Sequence, residues 1–137
     1  MLRLYTDGSY SDISGVGSWA WFLVGGATHE IGSGGVHGGT THHGMELAAA
    51  IEGLRRVPEG ATVEVISDST YVVDGLELGF GARSAAYREQ WAELAELASR
   101  RTVTFRWVKA HNGDASDPWN VMTDHVAKTA RLLLEAA

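Results

Sequence analysis

Four acidic residues occupy positions where a fold tends to gather functional groups. Asp7, Glu46, Asp68 and Asp124 each fall at the beginning or end of a predicted element, beside small or turn-forming residues rather than within a polar helix face. Strand ends in mixed α/β sheets collect such groups, and two neighbouring strands that end in Asp would bring their carboxylates together. Several ionised carboxylates in one cleft repel strongly, so a cluster needs either held protons or cations between the acids. The chain has no cysteine. That excludes disulfides, thiolate ligands and a cysteine nucleophile, leaves carboxylates and histidines as donors, and makes any bound metal a hard one. Taken singly, Asp7 and Asp68 also read as turn residues, and Glu46 and Asp124 as acids favoured by helix dipoles. Their surroundings are more specific: Thr6-Asp7-Gly8-Ser9, Thr40-Thr41 before Met45-Glu46-Leu47, Ser67-Asp68-Ser69 before Tyr71-Val72, and Val108-Lys109-Ala110-His111 before Asp124.

The elements that must position these acids follow from periodicity. Arg3 to Asp7 alternates as a strand that presents Asp7 at its C-terminal end. Val16 to Val24 reads as a second strand, Gly25-Gly26 as a turn, and Ala27 to Ser33 as the returning partner. Gly32 to Gly39 carries no hydrophobic period and reads as a flexible linker. A helix start is expected at Met45 to Ile51, with Glu46 in its first turn; Leu47, Ala50, Ile51 and Leu54 share one face, and Pro58-Glu59-Gly60 closes the segment. Thr62 to Ser67 alternates as a fourth strand ending at Asp68, and Thr70 to Gly75 forms a short helix. Tyr87, Trp91, Leu94 and Ala98 make the apolar stripe of an amphipathic helix. Thr102 to Val108 is a fifth strand, Lys109 to Trp119 a loop, and Asn120 onward a final helix with Val126, Ala130 and Leu133 inward. Three strands with tight turns, followed by alternating helix and strand, imply an α/β class with a mixed sheet.

The totals bound this picture. At 137 residues with 45% apolar content, the chain is expected to form one domain over residues 1–137. Its start shows neither a signal-peptide core nor a membrane-spanning run, so a cytoplasmic protein without membrane association is expected. The 11 Lys and Arg against 17 Asp and Glu leave a net charge of −6, the opposite of the basic face usual in nucleic-acid binders. That objection weakens where acids are committed to cations, because a metal inverts the local electrostatics.

On the four motifs quoted above, the sequence resembles ribonuclease H of the type 1 class from Leu4 to about Ala130. The resemblance implies a ribonuclease H-like fold, with a five-stranded mixed sheet flanked by helices on both faces. It also implies an endonuclease that hydrolyses the RNA strand of RNA-DNA hybrids to 5′-phosphate and 3′-hydroxyl ends. Asp7, Glu46, Asp68 and Asp124 map onto that family's site for two Mg²⁺, or Mn²⁺, with Asp7 bridging, Glu46 and Asp68 on the leaving-group side, and Asp124 on the nucleophile side. Two metals about 4 Å apart both activate water and stabilise the departing oxygen. His111 maps onto a proton-shuttling or phosphate-releasing role, the plainer reading being an exposed loop histidine. Thr41 is expected to hold a DNA phosphate, with Ser9, His42, His43 and Asn120 as further substrate contacts. Thr40 or Thr41 and Asn120 equally suit helix caps. A monomer is expected.

Three departures from familiar bacterial members stand out. The segment between Asp68 and His111 lacks a basic protrusion, His42-His43 replaces an asparagine pair, and the 13 positions from His111 to Asp124 are more than usual, with Asp114, Asp117, Pro118 and Trp119 among them. Trp119 either shields the site or, more in keeping with a lone tryptophan near a helix start, packs on the sheet. Two rival readings remain: a resolvase-like nuclease or exonuclease on the same fold, and a hybrid-binding module without catalysis, which would have no reason to keep four acids. A phosphate-loop reading of Gly32 to Gly39 lacks both the lysine and the G-x-G-x-x-G spacing.

Overall fold

A computed structural model describes residues 1–77, 85–109 and 117–137. In chain order the elements are β1 (Leu2–Tyr10), β2 (Val16–Gly25), β3 (Thr28–His37), α1 (His42–Arg55), β4 (Thr62–Ser67), α2 (Thr70–Glu77), α3 (Arg88–Ser99), β5 (Thr102–Trp107) and α4 (Pro118–Ala136). The strands form one sheet in the order β3-β2-β1-β4-β5. The hairpin-linked strands β1, β2 and β3 pair antiparallel, whereas β4 lies parallel to both β1 and β5. This is the mixed five-stranded sheet expected from the sequence.

Alternation along the strands sorts side chains onto two faces. Leu4, Trp21, Leu23, Val63 and Val65 meet Leu47, Ile51 and Leu54 of α1, Val72 of α2, and Trp91 and Leu94 of α3. Tyr5, Phe22, Val24 and Ile66 point the other way, with Val108 and Trp119. Helices therefore cover both faces: α1, α2 and α3 on one, α4 on the other. Leu4, Leu47, Leu54, Val63 and Val65 are wholly buried, and each such side chain contributes about 1.5–3 kcal/mol of transfer free energy. On the second face Ser18 Oγ donates to the Ala127 carbonyl at 2.6 Å, tying α4 to β2.

Four expectations need correction. Gly32 to Gly39 is not a linker throughout, since β3 continues to His37. The strand forms because Trp21 and Trp19 stand directly opposite Gly32 and Gly34, and their rings lie where side chains on those glycines would be, 2.4 and 2.3 Å from an ideal Cβ; tryptophan supplies the packing that glycine lacks. Asp7 is not the last residue of its strand, because β1 runs on to Tyr10 against β2. Helix α1 begins at His42, so Glu46 lies one turn inside it. The inward residues of α4 are Asn120, Thr123 and Ala127, while Leu133 is 68% exposed; polar members take part in the buried stripe, Thr123 with its hydroxyl donated to the Trp119 carbonyl, and the helix also starts earlier than Asn120, with Asp117 as N-cap and Pro118 in its first turn.

Candidate active site

The acids meet where the parallel ladder stops. Thr6 and Ser67 are the last paired residues of β1 and β4, so Asp7 and Asp68, one position beyond on each strand, emerge side by side. Glu46 comes from α1, which lies close against β1 because Gly8 has no side chain: a Cβ there would stand 2.6 Å from Glu46 N. Carboxylate oxygens of Asp7, Glu46 and Asp68 lie within 4.8 Å of one another. Asp124 approaches from α4 and hydrogen-bonds Asp7. All four line a cleft of about 360 Å³, with Gly8, Ser9, Tyr10, His42, Ser69, Lys128 and Arg131. Glu46 and Asp124 thus reach the cleft that Asp7 and Asp68 also line.

Electrostatics mark the cluster as incomplete by itself. Burial pushes the Asp7 carboxyl up to about 10, reinforced by the charges of Glu46 and Asp68 and by the Asp124 hydrogen bond. Burial, then Asp68, raises Glu46 well above the ordinary range, against the Gly8 N–H and Asp7 hydrogen bonds that favour its charge. Glu46 is 1% exposed, and its Oε2 has no hydrogen-bond partner among the described residues. An orphaned buried carboxylate oxygen facing two more carboxylates fits a hard divalent cation, whose charge replaces the missing donors. His42 Nε2 lies 3.3 Å from Glu46 Oε1, and burial holds this imidazole below its usual range.

The other expected residues are placed unequally. Ser9 and His42 line the cleft. Thr41 caps α1, accepting from Gly44 N at 3.2 Å, and contacts the Tyr87 hydroxyl, so its capping role is realised. His43 lies outside the cleft lining, stacked on Tyr71 at 4.0 Å between centroids. Asn120 is 5% exposed and also outside that lining; Asp117 provides the α4 cap by accepting from Trp119 N. Trp119 packs on Phe22 with centroids 5.0 Å apart, the packing alternative of the two. His111 lies outside the described residues. Lys128 and Arg131 were missed. Their offsets of four and seven residues from Asp124 place all three on one face of a helix, a signal available once that helix is recognised.

Comparison with known proteins agrees with this geometry. The RNase H family model matches residues 1–131. The ribonuclease H of Chlorobium luteolum is 34% identical over 142 residues, covering 94% of each chain. An RNase H1 solved in complex with an RNA/DNA hybrid superposes with a TM-score of 0.77 at 18% identity, over 98% of this chain and 99% of that one. RNase H1 of the halophilic archaeon Halobacterium salinarum gives a TM-score of 0.79 at 21% identity, over 99% and 98%. The structural likenesses establish the shared fold; the family model and the relative establish kinship, and this chain belongs to the ribonuclease H family.

Proposed function

We propose that residues 1–137 form one catalytic domain that hydrolyses the RNA strand of RNA-DNA hybrids at the cleft between Asp7, Glu46, Asp68 and Asp124. The observation that carries this reading is the convergence of three carboxylate oxygens within 4.8 Å, with Asp124 lining the same cleft, in a member of this family. The RNA/DNA hybrid bound by a protein of the same fold supports the substrate class.

Asp7, Glu46 and Asp68, with Asp124 beside them, would hold two Mg²⁺ ions, or Mn²⁺ in their place, with Glu46 and Asp68 serving stabilisation of the leaving group and Asp124 activation of the nucleophile. When bound, such a pair makes the attacking water more acidic and neutralises charge on the departing sugar oxygen. The water oxygen bonds to phosphorus, the bond to O3′ breaks, and O3′ takes up a proton, leaving 5′-phosphate and 3′-hydroxyl ends. His111, from its position in the sequence, is assigned to proton transfer or release of the cut phosphate. Ser9 and His42, which line the cleft, are assigned to the sugar edge of the RNA. Thr41 is assigned to a DNA phosphate, with His43 and Asn120 as outer contacts. The protein acts as a monomer in the cytoplasm; among the described residues no helix is long and apolar enough to cross a membrane.

Asp7→Asn tests the assignment. Cleavage of a hybrid in Mg²⁺ should vanish while hybrid binding persists, with RNA duplex, DNA duplex and single strands uncut by the parent protein. Normal turnover by the variant would reject the site, and preferential cutting of a DNA duplex would favour a resolvase-like nuclease.

A further inference from the structure

Helix α4 carries an ion ladder leading away from the acidic cluster. Asp124, Lys128, Arg131 and Glu135 follow at intervals of four, three and four residues and so share one face. Lys128 Nζ lies 3.3 Å from Asp124 Oδ2. Arg131 Nη1 donates to Glu135 Oε1 and Oε2 at 2.9 and 3.1 Å, while its Nε donates to Ser9 Oγ at 2.8 Å. Ser14 Oγ donates to Glu135 Oε2 at 2.5 Å, joining the far end of the ladder to the turn after β1. The Arg131 guanidinium is therefore held from two sides, by a strand hydroxyl and by a helix carboxylate, and is only 21% exposed.

That fixation has a chemical consequence. Guanidinium has five N–H donors in a rigid fork, and among the described residues the bonds of Arg131 use only Nε and Nη1. Donors remain on a side chain that lines the same cleft as the carboxylates. Lys128 and Arg131 are the lysine and arginine of that lining among the described residues, and Lys128 is engaged with a candidate metal ligand. Among the described lining residues, Arg131 is the cation not paired with one of the four site acids, which makes it the candidate for a substrate phosphate beyond the metals.

We propose that Arg131, resting on the hybrid-cleaving function above, is a substrate-binding contact that grips a backbone phosphate of the RNA strand neighbouring the scissile one, on the Asp124 side of the cleft. Ser9 and Glu135 position it. A pre-oriented guanidinium loses little entropy on binding and presents its remaining Nη2 donors to a phosphate at a fixed position, whereas a solvated lysine supplies only a mobile point charge. It replaces in part the basic protrusion that the sequence lacks.

The test measures hybrid affinity by fluorescence anisotropy in the Asp7→Asn background, with and without Arg131→Ala, across a salt series. Loss of the contact should weaken binding roughly ten-fold and lower the slope of log affinity against log salt by about 0.9. Arg131→Lys should keep the slope and recover part of the affinity. Glu135→Gln removes the ladder partner's charge but keeps an acceptor, and should bind at least as tightly as its parent. A single neutral methylphosphonate next to the scissile position of the RNA strand should weaken binding to the parent and add nothing to Arg131→Ala. Unchanged affinity and slope in Arg131→Ala would overturn the proposal, as would an equal loss in Glu135→Gln, which would mark the ladder as purely structural, or non-additivity only for a DNA-strand methylphosphonate. Cleavage by the parent chain reports separately on the underlying function: hybrid cutting with a silent Arg131→Ala removes this contact alone, whereas no cutting of hybrid removes both.

Discussion

Replacing Gly8 by Ala would perturb the site without altering any acid. Gly8 faces α1, and an added Cβ would stand 2.6 Å from Glu46 N, 2.6 Å from Met45 C and 2.9 Å from Met45 O. All three are backbone atoms, so no rotamer change relieves the clash. Ordinary contact begins near 3.4 Å, and the difference from 2.6 Å requires the start of α1 to retreat by about 0.8 Å. Retreat is opposed on the neighbouring strand, where the Met45 side chain lies in the space a Cβ on Gly17 would need. Overpacking of this kind costs about 1–3 kcal/mol, seen as a lower Tm in thermal unfolding. Glu46 moves with its backbone, and a misplacement on the order of 1 Å in a catalytic constellation costs about 100-fold in rate. Steady-state hybrid cleavage in Mg²⁺ should therefore show kcat reduced by some 30- to 100-fold, together with a higher Mg²⁺ requirement, because the displaced group is a metal donor. Activity within about three-fold of the parent, or a kcat loss with unchanged Mg²⁺ dependence, would refute the geometric reasoning.

Metal-free stability should fall as pH rises. Burial pushes Asp7 up to about 10 in the fold against 3.8 for a free aspartate, so between those limits the native state holds a proton that the unfolded chain has lost; Glu46 adds the same sign. The slope is at most about 1.4 kcal/mol per pH unit for each carboxyl kept protonated, and Tm measured from pH 5 to 9 in EDTA should decline while excess Mg²⁺ flattens the profile. A flat EDTA profile would contradict the burial of these acids. His111→Ala should slow hybrid turnover without abolishing it, and an unchanged single-turnover and steady-state rate would remove His111 from the reaction. Gly34→Ala should lower Tm through an overpacking cost of about 1–3 kcal/mol, because its Cβ would meet the Trp19 ring at 2.3 Å; pairing it with Trp19→Ala should recover part of the loss, and additive losses would contradict the proposed ring-over-glycine packing.

The four acids were legible because each carries local context: a small residue, a turn or a helix start beside it. Strand order brings together Asp7 and Asp68 alone, since parallel β1 and β4 end their pairing at Thr6 and Ser67; Glu46 and Asp124 depend on how α1 and α4 pack on the sheet. What escaped the sequence was interaction across elements. The glycines of β3 have no apolar period of their own, and only the opposing tryptophans make that segment a strand. The buried stripe of α4 escaped a count of apolar spacing because two of its members, Asn120 and Thr123, are polar. Lys128 and Arg131 were passed over because a cation on a helix surface ordinarily signifies solubility, and only the position of α4 against β1 and Ser9 shows that they line the cleft.

The acidic net charge becomes intelligible once the charges are located. On the faces away from the cleft, Arg55 pairs with Glu52 and Glu93, Arg56 with Glu30, Arg100 with Glu59 and Glu96, and Arg106 with Glu64. These exposed pairs add little stability, and they commit four arginines where a polyanion gains little from them. Four of the acids sit in the cleft. Two divalent cations there would add four positive charges to the formal −6, leaving −2, with the whole change concentrated at one point of the surface. Attraction of a hybrid then depends on the loaded cleft and on the α4 face beside it rather than on a basic surface at large. Metal occupancy should consequently strengthen hybrid binding, while Arg131 and the rest of the cleft sustain it when a metal ligand is removed.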